Sequence, residues 1–136
     1  MQDFRQLRVW QVAHRQTLAV YRATGGFPLE ERYELRRQLR SSAASIAANI
    51  PEGCGRRTPR EMAYFLQIAC GSASELEYHL LLAHDLGFLD SVLYQALAAT
   101  TIELKRMLSG LSRRVRGGLS GNRPPPSEPR SLTADN

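Results

Sequence analysis

Residues 58–90 read TPREMAYFLQIACGSASELEYHLLLAHDLGFLD, and this stretch decides the fold. Thr58 can accept from the free amides that open a helix. Pro59 suits the first helical position, and Glu61 stands at the third, where it can reach back to the cap. From there Met62, Phe65, Ala69, Leu76, Leu80 and Ala83 fall on one helical stripe. Gly87 fits the left-handed position that ends a helix, and Asp90 can cap the next one. The stretch predicts one long helix with a start signal, a stop signal and a tight turn into a neighbour.

Three more helices emerge on either side of it. After Asp90, the spacing of Leu93, Leu97, Leu104, Leu108, Leu111 and Val115 predicts another inward stripe. Before Thr58, a helix is expected from about Leu29. Glu30, Glu31 and Glu34 fill its first turns, where the positive end of the helix dipole favours anions. Its inner face reads Leu35, Leu39, Ser42, Ile46 and Asn49, and Pro51 with Gly53 is expected to stop it. Between Ser41 and Ala48 nearly every side chain is small, which lets a neighbouring helix approach closely. At the start of the chain Asp3 is a candidate N-cap, and Leu7, Trp10, His14, Thr17 and Tyr21 share a face. Gly25 and Gly26 then break the helix. Short connections make consecutive helices antiparallel, so the expected fold is all-α, an antiparallel up-down four-helix bundle over residues 1–116. Residues 117–136 begin with paired glycines and hold Pro124, Pro125, Pro126 and Pro129 among Ser, Gly and Asn. That composition predicts a disordered tail. No strand-like alternation and no internal repeat is visible.

The composition agrees with a single small domain. In 136 residues, 43% are hydrophobic and 23% charged, which excludes collagen-like and fully disordered chains. The longest apolar runs, such as Leu80-Leu81-Leu82-Ala83, fall far short of the ~20 residues that span a bilayer. The first residues carry charges and no apolar run, so no signal peptide is expected. Two cysteines, Cys54 and Cys70, suggest free thiols rather than a zinc site or disulfide framework, and the expected location is cytoplasmic.

The motifs resemble a family. Phe4-x-x-Leu7-x-Val9-Trp10 and Tyr21-x-x-Thr24-x-x-Phe27-Pro28 bracket the first helix. Gln38-Leu39-Arg40 leads to Ser45-Ile46-x-x-Asn49-Ile50-x-Glu52-Gly53. Phe65-Leu66-x-Ile68-Ala69-x-Gly71-Ser72, Glu75-Leu76-Glu77 and Leu86-Gly87-Phe88 follow in order. Over about residues 4–115 these resemble the bacterial four-helix-bundle proteins encoded within intervening sequences of 23S ribosomal RNA genes. Pro51 departs from the pattern, where a small residue such as Ala is expected. The resemblance implies a bundle that forms a homo-oligomer, with a pentamer favoured. It also implies kinship with accessory proteins of diversity-generating retroelements, which associate with a reverse transcriptase and nucleic acid. It supplies no catalytic residues.

The residues themselves offer little catalytic chemistry. Neither Glu75 nor Glu77 is followed three positions later by His, so the di-iron pairing of bundle enzymes is missing, and no metal or cofactor is expected. Glu75 and His79 share a face at i, i+4, which favours a surface hydrogen bond. Gly71-Ser72-Ala73-Ser74 lacks the closing glycine and the strand of a hydrolase elbow. Cys54, between glycines and beside Arg56 and Arg57, is a candidate reactive thiol, because nearby cations lower a thiol's pKa. The same loop precedes a helix N-terminus and is a candidate anion site.

Charge is the strongest functional signal. The net charge is +5, and every basic residue except Lys105 is arginine. Arg8, Arg15 and Arg22 recur every seven residues along the first helix, and Arg32, Arg36 and Arg40 every four along the second. Residues 1–40 hold eight arginines against four acids, whereas residues 41–112 are slightly acidic. Arginine forks suit phosphates, so these stripes, with Arg56 and Arg57, are candidate contacts to RNA or DNA. No aromatic residue is read as part of these arginine stripes, so base stacking is not expected. Three readings follow. The first is a non-enzymatic, homo-oligomeric module that binds nucleic acid weakly, as accessory to a reverse transcriptase. The second is a protein-binding scaffold whose basic face meets an acidic partner. The third is a redox-responsive protein using Cys54. Some of the arginines would alternatively serve a subunit interface. The extra apolar width at Leu81 and Leu82 argues for a second buried face, and hence for assembly.

Overall fold

In the computed structural model of the protein, residues 3–28 and 33–121 are described, the side chains of Tyr33 and of residues 118–121 excepted. A short 3-10 turn at Phe4–Gln6 leads into four helices: α1 (Arg8–Thr24), α2 (Tyr33–Cys54), α3 (Pro59–Asp85) and α4 (Ser91–Gly121). Each helix packs on its neighbours in sequence, and α1 closes the cycle against α4. Among the described residues no diagonal pair makes close backbone contact. The chain is therefore an antiparallel up-down four-helix bundle.

The end signals of α3 act as read. Thr58 Oγ1 accepts the Glu61 N–H at 3.2 Å, and Asp90 Oδ1 accepts the Leu93 N–H at 2.8 Å. Gly87 has φ +82°, the left-handed region that glycine enters without a steric cost. Around it the Phe88 N–H donates to Ala83 O and the Gly87 N–H to His84 O, which satisfies carbonyls that α3 would otherwise leave unpaired. The core is built from Val20 of α1, Leu39, Ile46 and Ile50 of α2, Leu66, Leu76 and Leu80 of α3, and Leu104 and Leu108 of α4. Each such side chain contributes about 2 kcal/mol of transfer free energy.

Three expectations need correction. Asp3 caps the 3-10 turn through the Arg5 N–H, not α1, which opens at Arg8 after extended Leu7. The buried face of α1 is Val9, Val12, Ala13, Gln16, Val20 and Thr24, not the stripe of Leu7, Trp10, His14, Thr17 and Tyr21, in which His14 and Tyr21 are exposed. The two stripes lie one residue apart around the helix. A glutamine disguises the true one, because Gln16 Nε2 is buried while donating to Leu97 O at 2.8 Å and Thr101 Oγ1 at 3.0 Å. Third, α2 runs through Pro51 to Cys54. A proline close to a helix end forfeits a single backbone bond, and the Gly55 N–H still donates to Pro51 O at 3.0 Å.

At the other end of the chain, α4 continues past the expected boundary at 116 to Gly121. Extending an established helix costs far less than nucleating one, so paired glycines need not end it. The remainder of the expected tail, the start of the second helix at Leu29 with Glu30 and Glu31, and Arg32 all lie outside the described residues.

Candidate nucleic-acid interface

The antiparallel register of α1 and α2 decides where the arginines stand. Arg40 Nε donates to Thr24 Oγ1 at 2.8 Å, and Thr17 Oγ1 donates to Ala43 O at 3.2 Å. The C-terminal end of α1 thus lies against the N-terminal half of α2. Arg22 is at the Arg40 end of the pair, and Arg8 is at the end where α2 finishes. Arg8, Arg15 and Arg22 are all exposed, so they run as a row between the two ends. At the near end Arg36, Arg37 and Arg40 line a cleft of about 350 Å³ together with Tyr21 and Ser41. Arg56 and Arg57 are exposed at the far end, roughly 25 Å farther along the pair at 1.5 Å per residue.

The cleft overturns the expectation that no aromatic accompanies the arginines. The Arg40 guanidinium sits 4.6 Å from the centroid of the Tyr21 ring, a cation–π pair across two helices. Its Nη2 also donates to Tyr21 O at 3.2 Å. Arg37 is 3.5 Å from Glu34, which also accepts from Gln38 Nε2 at 3.0 Å. The Gln38 hydrogen bond first, and then the charge of Arg37, hold the Glu34 carboxyl below its ordinary value. At the far end Arg56 folds back, 3.1 Å from Glu52 and 4.6 Å from the Phe65 centroid. That engagement, together with the Thr58 cap and the missing N–H of Pro59, leaves the 53–57 loop poorly suited to hold an anion.

The other candidates resolve into structural roles. Cys54 is the last residue of α2, and burial pushes its thiol up, opposite to the activation that its arginine neighbours suggested. Burial likewise raises the Cys70 thiol, against the lowering effects of a Ser109 hydrogen bond and the charges of Lys105 and Arg116. Ser72 Oγ is 2.7 Å from Ser45 Oγ, a polar stitch where the small residues of α2 meet α3. Glu75 is exposed while His79 is buried, so they make no surface pair. His79 Nδ1 has no hydrogen-bond partner, a cost of about 1–3 kcal/mol relative to a paired atom. Among the described residues no three His, Cys, Asp or Glu side chains gather as a metal site, and no helix is long and apolar enough to cross a membrane. Leu82 is half-buried in a groove with Leu35, Leu86 and Phe88, whereas Leu81 is exposed.

Sequence reasoning found the arginines and missed Tyr21. The tyrosine and Arg40 are 19 positions apart and meet only where α1 and α2 pack side by side. The available signal was Arg40 itself, one turn beyond Arg36 on the rim of a helix whose opposite face is apolar.

The sequence model of the family described as 23S rRNA-intervening sequence protein matches residues 5–110. The crystal structure of a Bacteroides thetaiotaomicron protein of unknown function from the S23 ribosomal protein family is similar, with a TM-score of 0.70 at 20% identity. The match covers 77% of this chain and 98% of that one, and at this identity it is a likeness of fold. No curated protein matches.

Proposed function

The chain belongs to the 23S rRNA-intervening sequence protein family, and from that premise we propose that it is a non-enzymatic, homo-oligomeric module holding nucleic acid on the arginine surface of α1 and α2. One observation carries the reading: exposed Arg8, Arg15 and Arg22 form a row along α1, and Arg36, Arg37 and Arg40 line a cleft with Tyr21 at the end of the helix pair where Arg22 stands. Guanidinium groups in a row can follow a phosphate backbone, and such contacts are weak, tolerant of sequence and strongly salt-dependent. The test is an RNA-binding titration across a salt series. Affinity is expected to fall steeply with salt, and Arg8→Gln/Arg15→Gln/Arg22→Gln should flatten the log–log slope by about 2. An affinity that neither salt nor the triple variant alters would remove the proposal.

A second reading is supported by the exposed Tyr64, Tyr78 and Leu81 on α3, a surface suited to protein contacts. On this reading the bundle is a ring, of five subunits by the family's expectation, that docks an acidic partner or a reverse transcriptase. Pull-down after nuclease treatment separates the two. A partner retained without nucleic acid favours the scaffold, and one lost with it favours the nucleic-acid module.

A further inference from the structure

We propose that the Tyr21–Arg40 cleft accepts one unpaired nucleotide, giving the arginine surface a preference for single-stranded over duplex nucleic acid; this rests on the nucleic-acid reading above.

Tyr21 is 46% exposed, so part of the cleft wall that it forms is open to a ligand. Arg40 lies over the ring and is fixed by two hydrogen bonds, to Thr24 Oγ1 and Tyr21 O. The guanidinium plane is thus ordered before any ligand arrives, and binding need not meet the entropy of ordering a long side chain. A guanidinium held over an aromatic ring offers a cationic surface on which any base can stack, because every base has a π-face. The remaining walls supply partners for the rest of a nucleotide. Arg36 and Arg37 border the cleft with donors suited to phosphate, and Ser41 adds a hydroxyl within reach of a sugar. The cleft volume of about 350 Å³ is at the small end of ligand sites, the size of a single unit rather than a long segment.

A duplex keeps its bases stacked on one another, so it can present only phosphates to this surface. A single strand can present the same phosphates and also insert a base. The cleft therefore separates the two forms without reading base edges, and the preference should extend over many sequences.

The experiment uses fluorescence anisotropy at one fixed low salt concentration, with a labelled RNA of about ten nucleotides and the blunt duplex of the same sequence. Wild type is expected to bind the single strand about tenfold more tightly. Tyr21→Leu should bring that ratio to about one, and Tyr21→Phe, which keeps the ring, should preserve it; melting temperatures check that each variant is folded. Equal affinity for both forms in the wild type, or a preference that survives Tyr21→Leu, overturns this inference while leaving the nucleic-acid reading in place. Absence of binding to either form overturns the reading itself.

Discussion

Two glycines carry opposite meanings, and only their surroundings separate them. A Cβ on Gly53 would lie 3.3 Å from Met62 O and 3.3 Å from Phe65 Cβ, so α2 and α3 approach one another through the missing side chain. A Cβ on Gly71 would meet nothing within 4 Å. Gly53→Val is therefore expected to destabilise the bundle by about 2 kcal/mol through overpacking. Gly71→Ala is expected to stabilise it by about 1 kcal/mol, because glycine costs backbone entropy inside a helix and nothing opposes the methyl group. Chemical denaturation of both variants checks the pair, and a destabilising Gly71→Ala would mean that another surface already covers that position. From sequence Gly53 reads with Pro51 as a helix stop and Gly71 as one of several small residues inside the third helix, and neither reading tells which glycine a neighbouring helix approaches. Ser72 does face α2, through Ser45, whereas Gly71 beside it faces away.

At the scale of the helix, α3 shows what periodicity can and cannot reveal. Its caps, its glycine stop and most of its inner stripe were legible, because each depends on residues within one or two turns. The face of α1 was not. Two stripes one residue apart both satisfy helical spacing, and the buried one contains a glutamine whose partners, Leu97 and Thr101, are on a helix more than 80 positions later. The arginine rows were legible for the same local reason as the caps, whereas the tyrosine beneath Arg40 required the register of two helices. The outer side of α3 carries the assembly part of the proposal. Tyr64, Gln67, Gly71, Ser74, Tyr78 and Leu81 form an exposed stripe, aromatic towards both ends and small in the middle. If that stripe is the subunit interface, Tyr78→Ala/Leu81→Asp should convert the assembly to monomers by light scattering while leaving the melting of the single bundle intact. A wild type that is monomeric at micromolar concentration would sink the assembly claim.

In the whole molecule the helices are not held equally. α3 lies heavily against both α2 and α4, while α1 makes lighter contacts with α2 and α4. The lightly held helix also carries Tyr21 and the row of Arg8, Arg15 and Arg22. Amide protons of α1 are therefore expected to exchange with solvent before those of α3, by local opening that leaves the other three helices in place. A ligand bound to both α1 and α2 would have to suppress that opening. The protection of α1 should then rise on adding RNA while that of α3 stays constant, and an unchanged α1 would argue that RNA does not engage this helix. The lighter packing of α1 would thus make its own breathing a reporter of occupancy: were RNA held on α1, the helix that grips it would also be the helix that it steadies.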